Sequence, residues 1–378
     1  MIVGIVGWIG VAWLGWTLWQ ANPPKAGFDL TLLLEAARRV LSGESPYDPA
    51  ILSGTAPEAV GLFYSYPPPV AQTMTLLAWL PDGVVLVLWG IGATVGLAFV
   101  AARVAAAQGA SPARMAVRAV GAAPIVLPFA VAVLFGNVSA WYGLAYGLLL
   151  LAVLPGASRP ARLAGGVSIA AISIAKLHPA PLLLWVLLRA WRREPGERPV
   201  LVAALVTGVA ILLASLVVGG IQPWLDYVQV LRVGAGAELV DPRNIAPVSM
   251  LGLALGIDGA VLRALQVVVV VLVVVVTLVA ALRLRDPVLS FGLAATATLV
   301  TLPITWYHYP VALLPVAFAL GIGHPATRPR LLLAGVLAGG AVAFLPIVWL
   351  AVGVLLLASE RASRAGDRGA GGSAPAVP

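Results

Sequence analysis

Long apolar runs, broken at intervals by Pro, Gly and Arg, set the pattern of this chain. Residues 2–19 (IVGIVGWIGVAWLGWTLW) form the first run. Further runs lie near 84–106, 119–135, 138–154, 163–178, 179–190, 199–219, 260–282, 287–304, 309–322, 331–344 and 346–358. Their continuous apolar character, without alternation at period two, predicts helices and excludes a closed β-barrel. The expected architecture is all-α and polytopic, with about twelve transmembrane helices (range ten to thirteen) in residues 1–358. The piece 70–80 is too short to cross alone and predicts a re-entrant or surface helix returning at Pro81-Asp82-Gly83.

Two polar stretches interrupt the pattern, at 20–69 and 220–258. In the first, Leu30, Leu33, Leu34, Ala37 and Leu41 fall on one face of a helix, with Glu35, Arg38, Arg39 and Ser42 opposite. That predicts an amphipathic helix lying at the membrane surface over 30–42. Asp29 stands where an N-cap belongs, Gly43 suits the C-terminal cap and Pro46 forbids continuation. The tail 359–378, rich in Gly, Ser, Ala and Arg, is expected to be disordered.

Composition supports the membrane reading: 61% of the 378 residues are hydrophobic and 10% are charged. A soluble domain carries about 25% charge. The net charge of +8 would suit nucleic acid, but its distribution argues for a membrane. With a cytoplasmic N-terminus, the cytoplasmic segments hold 16 of the 23 basic residues and 5 of the 15 acids. They sum to +11 and the opposite side to −3, as the positive-inside rule requires. Residues 2–19 lack a basic leader and a cleavage site, so they read as a retained first span. Both termini are then cytoplasmic and both polar stretches extracytoplasmic, in a cell membrane, with basic residues meeting anionic lipid headgroups and no nucleic acid partner.

Chemistry is expected on the outer face, where polar groups gather at span ends. Asp29 reads either as a helix cap or as a general base. Tyr64 and Tyr66 precede Pro67-Pro68-Pro69, a stiff entry into the membrane. Lys176 and His178 end one span beside Pro179; the lysine either snorkels or binds an anionic headgroup. His308 sits among aromatics, packed or functional. Arg243, Asn244 and Ser249 come from the second outer loop, and Asn137 lies between two spans. No metal site is expected, since His178, His308 and His324 are scattered, and neither a Walker A motif nor a dinucleotide fingerprint occurs. A secondary transporter or lipid flippase is the alternative; it would place acids inside the spans, and these have none. A scaffold would leave Asp29, Lys176 and His308 on one face as coincidence.

Taken in order, these pieces resemble the GT-C type membrane glycosyltransferases, and most closely glycosyltransferase family 87, the polyprenyl-phosphate-mannose-dependent mannosyltransferases. The carrying elements are Asp29 after the first span, the helix 30–42 ending in Gly43-Glu44-Ser45-Pro46-Tyr47, and Tyr64-Ser65-Tyr66-Pro67-Pro68. Then come Gly136-Asn137-Val138-Ser139, Lys176 to Pro179, Asn244 to Ser249, and Trp306 to His308. Asn137 stands where Gln is commoner, and Tyr309 where a second His is frequent. The likeness covers residues 1–325. It implies inverting sugar transfer, most simply of mannose, from a polyprenyl-phosphate donor to a glycolipid or polysaccharide acceptor, with no cofactor. Asp29 would be the base. Lys176 and His308, with Arg243 second, would stabilise the leaving phosphate. Tyr64, Tyr66, Asn137, His178, Asn244 and Trp306 would contact sugar or acceptor. A different lipid-linked sugar is the alternative donor.

Overall fold

In the computed structural model, residues 2–22, 25–54, 63–192, 194, 197–237, 244–257, 259–300, 304–322, 328–339 and 346–370 are described. Prolines and glycines cut the chain into helices. These are α1 (Ile2–Trp19), α2 (Phe28–Leu41), α3 (Pro49–Leu52), α4 (Pro68–Met74), α5 (Asp82–Ala107) and α6 (Pro112–Ala122). There follow α7 (Leu127–Phe135), α8 (Tyr142–Val153), α9 (Arg159–Ala175), α10 (Pro181–Trp191), α11 (Glu197–Gly219) and α12 (Gln222–Ala237). The last are α13 (Pro247–Leu255), α14 (Gly259–Arg283), α15 (Pro287–Val300), α16 (Leu314–Ile322), α17 (Arg328–Gly339) and α18 (Pro346–Ala370). Single 3₁₀ turns cover Ala123–Ile125, Val138–Trp141 and Tyr309–Leu313, and no strand occurs among the described residues.

Every run expected to cross coincides with one or two of these helices, but length separates them. Among the described residues α1, α5, α11 and α14 are long and apolar enough to span a bilayer. A fifth span results if α6 and α7, bent by 74° at their join, count as one. Of the twelve expected spans, several of them short or interrupted by Pro or Gly, the described residues show four or five of crossing length. The physical reason is proline: Pro124 and Pro128 break one run, and Pro310 and Pro315 shorten another, below the roughly 20 residues a crossing needs. Four long apolar helices nonetheless make this a membrane-associated protein.

The core is built by close approach of small residues. Gly165 of α9 faces Ala152 of α8, and Gly166 faces the backbone of Val200 in α11; a Cβ at either would lie within 2.4 Å of its neighbour. Thus α9 is clamped between α8 and α11, the geometry membrane helices reach only where side chains are absent. An aromatic column, Tyr142–Tyr146–Phe291–Trp185, runs through the middle with centroid spacings of 5.7, 6.3 and 5.7 Å. Trp185 donates from Nε1 to Ser290 Oγ at 3.0 Å.

Two expectations about surface segments need correction. Leu41 is 62% exposed while Leu30, Leu33, Leu34 and Ala37 are buried, because α2 packs by its first three turns only. Of the tail expected to be disordered over 359–378, residues 359–370 continue α18, and 371–378 lie outside the described residues. Glu360, nearly buried, ties this helix to the bundle: it accepts the backbone N–H groups of Arg285 (3.0 Å) and Asp286 (3.4 Å) and pairs with Arg364.

Candidate active site

The amphipathic helix α2 lies over α4 and against α5 and α7. Its start is not capped by Asp29. Gly27, at φ 70°, takes the N-cap position and makes no side-chain cap; its own N–H is bound by the carbonyl of Leu134 at 2.8 Å. Asp29 therefore falls inside the first turn, where the helix dipole favours a carboxylate. Its side chain is free to turn inward.

Inward stands Asn137. The chain reaches it through Gly136, at φ 65°, where an added Cβ would lie 2.5 Å from Leu30 Cβ; only glycine permits both the turn and the contact with α2. The Asn137 amide is oriented by the backbone N–H of Ser139, which donates to Oδ1 at 2.9 Å. A donor there fixes the oxygen on that side and the NH₂ on the other. The NH₂ donates to Asp29 Oδ2 at 2.8 Å and, at 3.5 Å, to the Tyr66 hydroxyl. The oxygen accepts from Lys176 Nζ at 3.3 Å. A carboxylate and an ammonium thus stand at opposite ends of one amide.

Lys176 is the C-cap of α9, extended at φ −143°. Its ammonium also donates to the Tyr309 hydroxyl at 3.0 Å and lies 4.3 Å from the Tyr309 ring centroid and 5.1 Å from that of Tyr66. Tyr309 is the hub of the second half of the site. His178 stacks on it at 4.8 Å and 5°, and His308 meets it edge-on at 5.1 Å. His178 Nδ1 is 3.3 Å from the Tyr142 hydroxyl. The other His178 nitrogen and both of His308 are buried without a hydrogen-bond partner, a cluster of polar atoms poised for hydroxyl groups.

Electrostatics divide these groups. Burial pushes the half-buried Asp29 carboxyl above the ordinary carboxylate range, against the lowering effects of the Asn137 hydrogen bond and the Lys176 charge. Burial, with the charge of Lys176 nearby, holds both His178 and His308 well below the usual imidazole range. The two groups expected to meet the leaving phosphate, Lys176 and His308, both stand around Tyr309, the lysine on its hydroxyl and the imidazole edge-on to its ring.

Of the expected residues, the structure brings together Asp29, Tyr66, Asn137, Lys176, His178 and His308. Tyr64 is one ring away, 5.7 Å from Tyr66, with its hydroxyl committed to the Pro67 carbonyl and the Ala71 N–H. Asn244 works as a clamp between loops: its Oδ1 accepts the N–H groups of Ala246 and Thr305, both at 2.9 Å. Trp306 is half-buried, and its carbonyl accepts the Tyr309 N–H at 2.9 Å. Arg243 lies outside the described residues. Tyr309 and Tyr142 were missed; the signal available for Tyr309 was its place where a second His is frequent. No group of three or more metal-ligating side chains converges among the described residues.

Comparison with known proteins adds one decisive observation. The profile of glycosyltransferase family 87 matches residues 64–305, well over half of the chain. The chain belongs to glycosyltransferase family 87. It is therefore a glycosyltransferase, an enzyme with a sugar donor and an acceptor. No curated protein and no solved structure matches the chain. The family 87 match contains Tyr66, Asn137, Lys176 and His178 but stops short of Asp29, His308 and Tyr309. Contacts join those three to it: Asp29 through Asn137, and Tyr309 through Lys176.

Proposed function

We propose that this family 87 enzyme transfers a sugar, most simply mannose, from a polyprenyl-phosphate donor to a hydroxyl of a glycolipid or polysaccharide, with inversion at the anomeric carbon. The observation that carries the reading is the Asp29–Asn137–Lys176 arrangement. An elevated carboxylate takes the acceptor proton, and an ammonium a few ångströms away meets the phosphate that leaves. The acceptor oxygen forms the new bond to the anomeric carbon as the bond from that carbon to the phosphate oxygen breaks. The electron pair leaves with polyprenyl phosphate, and the proton goes to Asp29. The unpartnered nitrogens of His178 and His308 suit the donor sugar's hydroxyls, with Tyr66 as an apolar wall. Lys176 already supplies the charge the leaving group needs, so the reading calls for no nucleotide, cofactor or metal.

The charge split along the chain supports a multi-pass protein of the cell membrane with cytoplasmic termini and the site on the outer face. A lipid-borne donor suits such a site, since it arrives by lateral diffusion. The test is transfer of labelled mannose from polyprenyl-phosphate-mannose to candidate glycolipids in detergent. Asp29→Asn is expected to lower the rate by about 10² to 10⁴-fold. Undiminished transfer by Asp29→Asn would remove the base assignment, and strict dependence on another lipid-linked sugar would replace mannose.

A further inference from the structure

Tyr142 stands at the head of α8, directly after the 3₁₀ turn Val138–Trp141 that begins at Asn137. The turn that follows the amide therefore also sets this phenol, which is wholly buried. Its hydroxyl lies 3.3 Å from His178 Nδ1 and has no other hydrogen-bond partner among the described residues. The imidazole is held on two sides. Its face stacks on Tyr309 at 4.8 Å and 5°, and the Tyr142 ring meets it edge-on at 5.0 Å and 62°. Its far nitrogen, Nε2, is buried and unpartnered.

A neutral imidazole carries one proton, on Nδ1 or on Nε2, and the two arrangements are not equal here. If Nδ1 carries it, Nδ1–H donates to the phenol oxygen. The phenolic proton is then buried without an acceptor, and the Nε2 lone pair is stranded as well. If Nε2 carries it, the Tyr142 hydroxyl donates to Nδ1, and only Nε2–H stays unpartnered. A stranded buried polar group costs more than a typical hydrogen bond gains, so the second arrangement prevails. A doubly protonated ring is opposed by burial and by the charge of Lys176. His308 differs, since both its nitrogens are unpartnered and nothing there selects a tautomer.

We propose that Tyr142 is a positioning residue that fixes His178 as a hydrogen-bond donor through Nε2, and that this N–H binds an oxygen of the sugar donor. The identity of the ligand rests on the proposed function; the tautomer does not. The two histidines then play different parts. His308 can donate or accept, which suits a hydroxyl in either sense. His178 can only donate, so it requires a lone pair, on a sugar hydroxyl or on a phosphate oxygen. Without the phenol hydroxyl the imidazole is free to take the other tautomer, which offers no proton to that oxygen.

The test uses the full-length protein in detergent, carrying ¹⁵N-labelled histidine. The chain has three histidines, and His178→Gln identifies the His178 signals by removing them. In the parent, His178 Nδ1 is expected to resonate as an unprotonated nitrogen and Nε2 as a protonated one. The reverse assignment overturns the proposal whatever the variants do. Tyr142→Phe, which keeps the ring, should mix the tautomers and draw the two His178 shifts toward each other while those of His308 stay. Movement of neither histidine, or of both alike, would also overturn it. In turnover Tyr142→Phe should raise the donor KM about two- to tenfold, the range for one net hydrogen bond, with kcat and acceptor KM unchanged. His178→Gln keeps an N–H donor near the Nε2 position and has no tautomers. Adding Tyr142→Phe to it should therefore leave the donor KM where it is, and an equal rise there would make Tyr142 a packing residue only. Titration with polyprenyl phosphate names the oxygen: weaker binding in Tyr142→Phe assigns Nε2–H to the phosphate, and unchanged binding assigns it to the sugar. The nitrogen spectra need no turnover. Absence of transfer from any polyprenyl-phosphate sugar would thus defeat the proposed function and leave the tautomer to be decided on its own.

Discussion

Asn137 holds Asp29 by its nitrogen and Lys176 by its oxygen, and Ser139 prevents the amide from turning over. Its loss should act first on Asp29. The hydrogen bond stabilises the ionised carboxylate, so Asn137→Ala leaves burial less opposed and raises the Asp29 pKa further. Transfer requires the ionised base, so the rate climbs as pH rises through that pKa. The acidic limb of the kcat/KM profile should therefore move to higher pH in Asn137→Ala, and likewise in Lys176→Met. The same shift has a stability sign. A carboxyl whose folded pKa is raised disfavours the folded state once ionised: its contribution is intact below the unfolded value and lost as pH rises through the folded one. Asp29→Asn should accordingly melt no lower than the parent at pH 7, and higher if packing is undisturbed, while losing activity; thermal unfolding in detergent reads this. Lys176→Met should reduce kcat by about 10² to 10³-fold, the scale for removing one preorganised group at a developing anion. Tyr309→Phe, which leaves the ring and takes the acceptor oxygen, should fall well short of that loss. Asp29 and Lys176 were legible from residue type and place in the chain. Their bridge was not, since residues 108 positions apart meet by tertiary packing that no local pattern encodes.

Two elements set this geometry, and each depends on an absent side chain. Gly136 is the hinge between α7 and the Asn137 turn, with Leu30 of α2 pressed against it. Gly136→Ala must both adopt a left-handed φ and displace Leu30. It should lower stability by about 1–3 kcal/mol, and activity by more than that loss explains, because Asn137 and Asp29 move apart. Chemical or thermal unfolding beside the transfer assay separates the two effects. The helix α9 delivers Lys176 through the Gly165-Gly166 pair. Periodicity exposed α2 and its buried face, down to Leu30, Leu33, Leu34 and Ala37. It could not show that the helix departs from its support before Leu41, or that Asp29 lies within the first turn, two residues past the cap. Those outcomes follow from where α4 and α5 end, which is a property of the assembly.

Across the whole molecule, charged groups act as staples away from the site. Arg189 and Glu197, both nearly buried, pair at 3.0 Å between α10 and α11, and Arg189 also reaches Ser290 of α15 at 3.5 Å. Asp286 at the head of α15 pairs with Arg330 of α17, while Glu360 of α18 holds the adjoining backbone. Removing one partner of the buried pair, as in Arg189→Met, leaves an uncompensated carboxylate and should cost about 3–5 kcal/mol, read as a lower unfolding midpoint. The Arg-rich character of these segments was visible in the sequence as a topological bias. Their second use as inter-helix ties was not, because composition records which charges are present and not which of them meet. Composition likewise located the apolar runs, whereas the lengths to which proline trims them decide which can cross a bilayer.

The shared amide at Asn137 has a consequence for the order of events. Lys176 lowers the Asp29 pKa. A donor phosphate seated on Lys176 cancels that field, so the carboxylate becomes a stronger base when the donor is in place and remains a weaker one when it is not. By reciprocity, proton uptake at Asp29 and donor binding favour one another by the same factor. The acidic limb should consequently lie at higher pH in kcat, which reports the loaded enzyme, than in kcat/KM for acceptor measured at low donor.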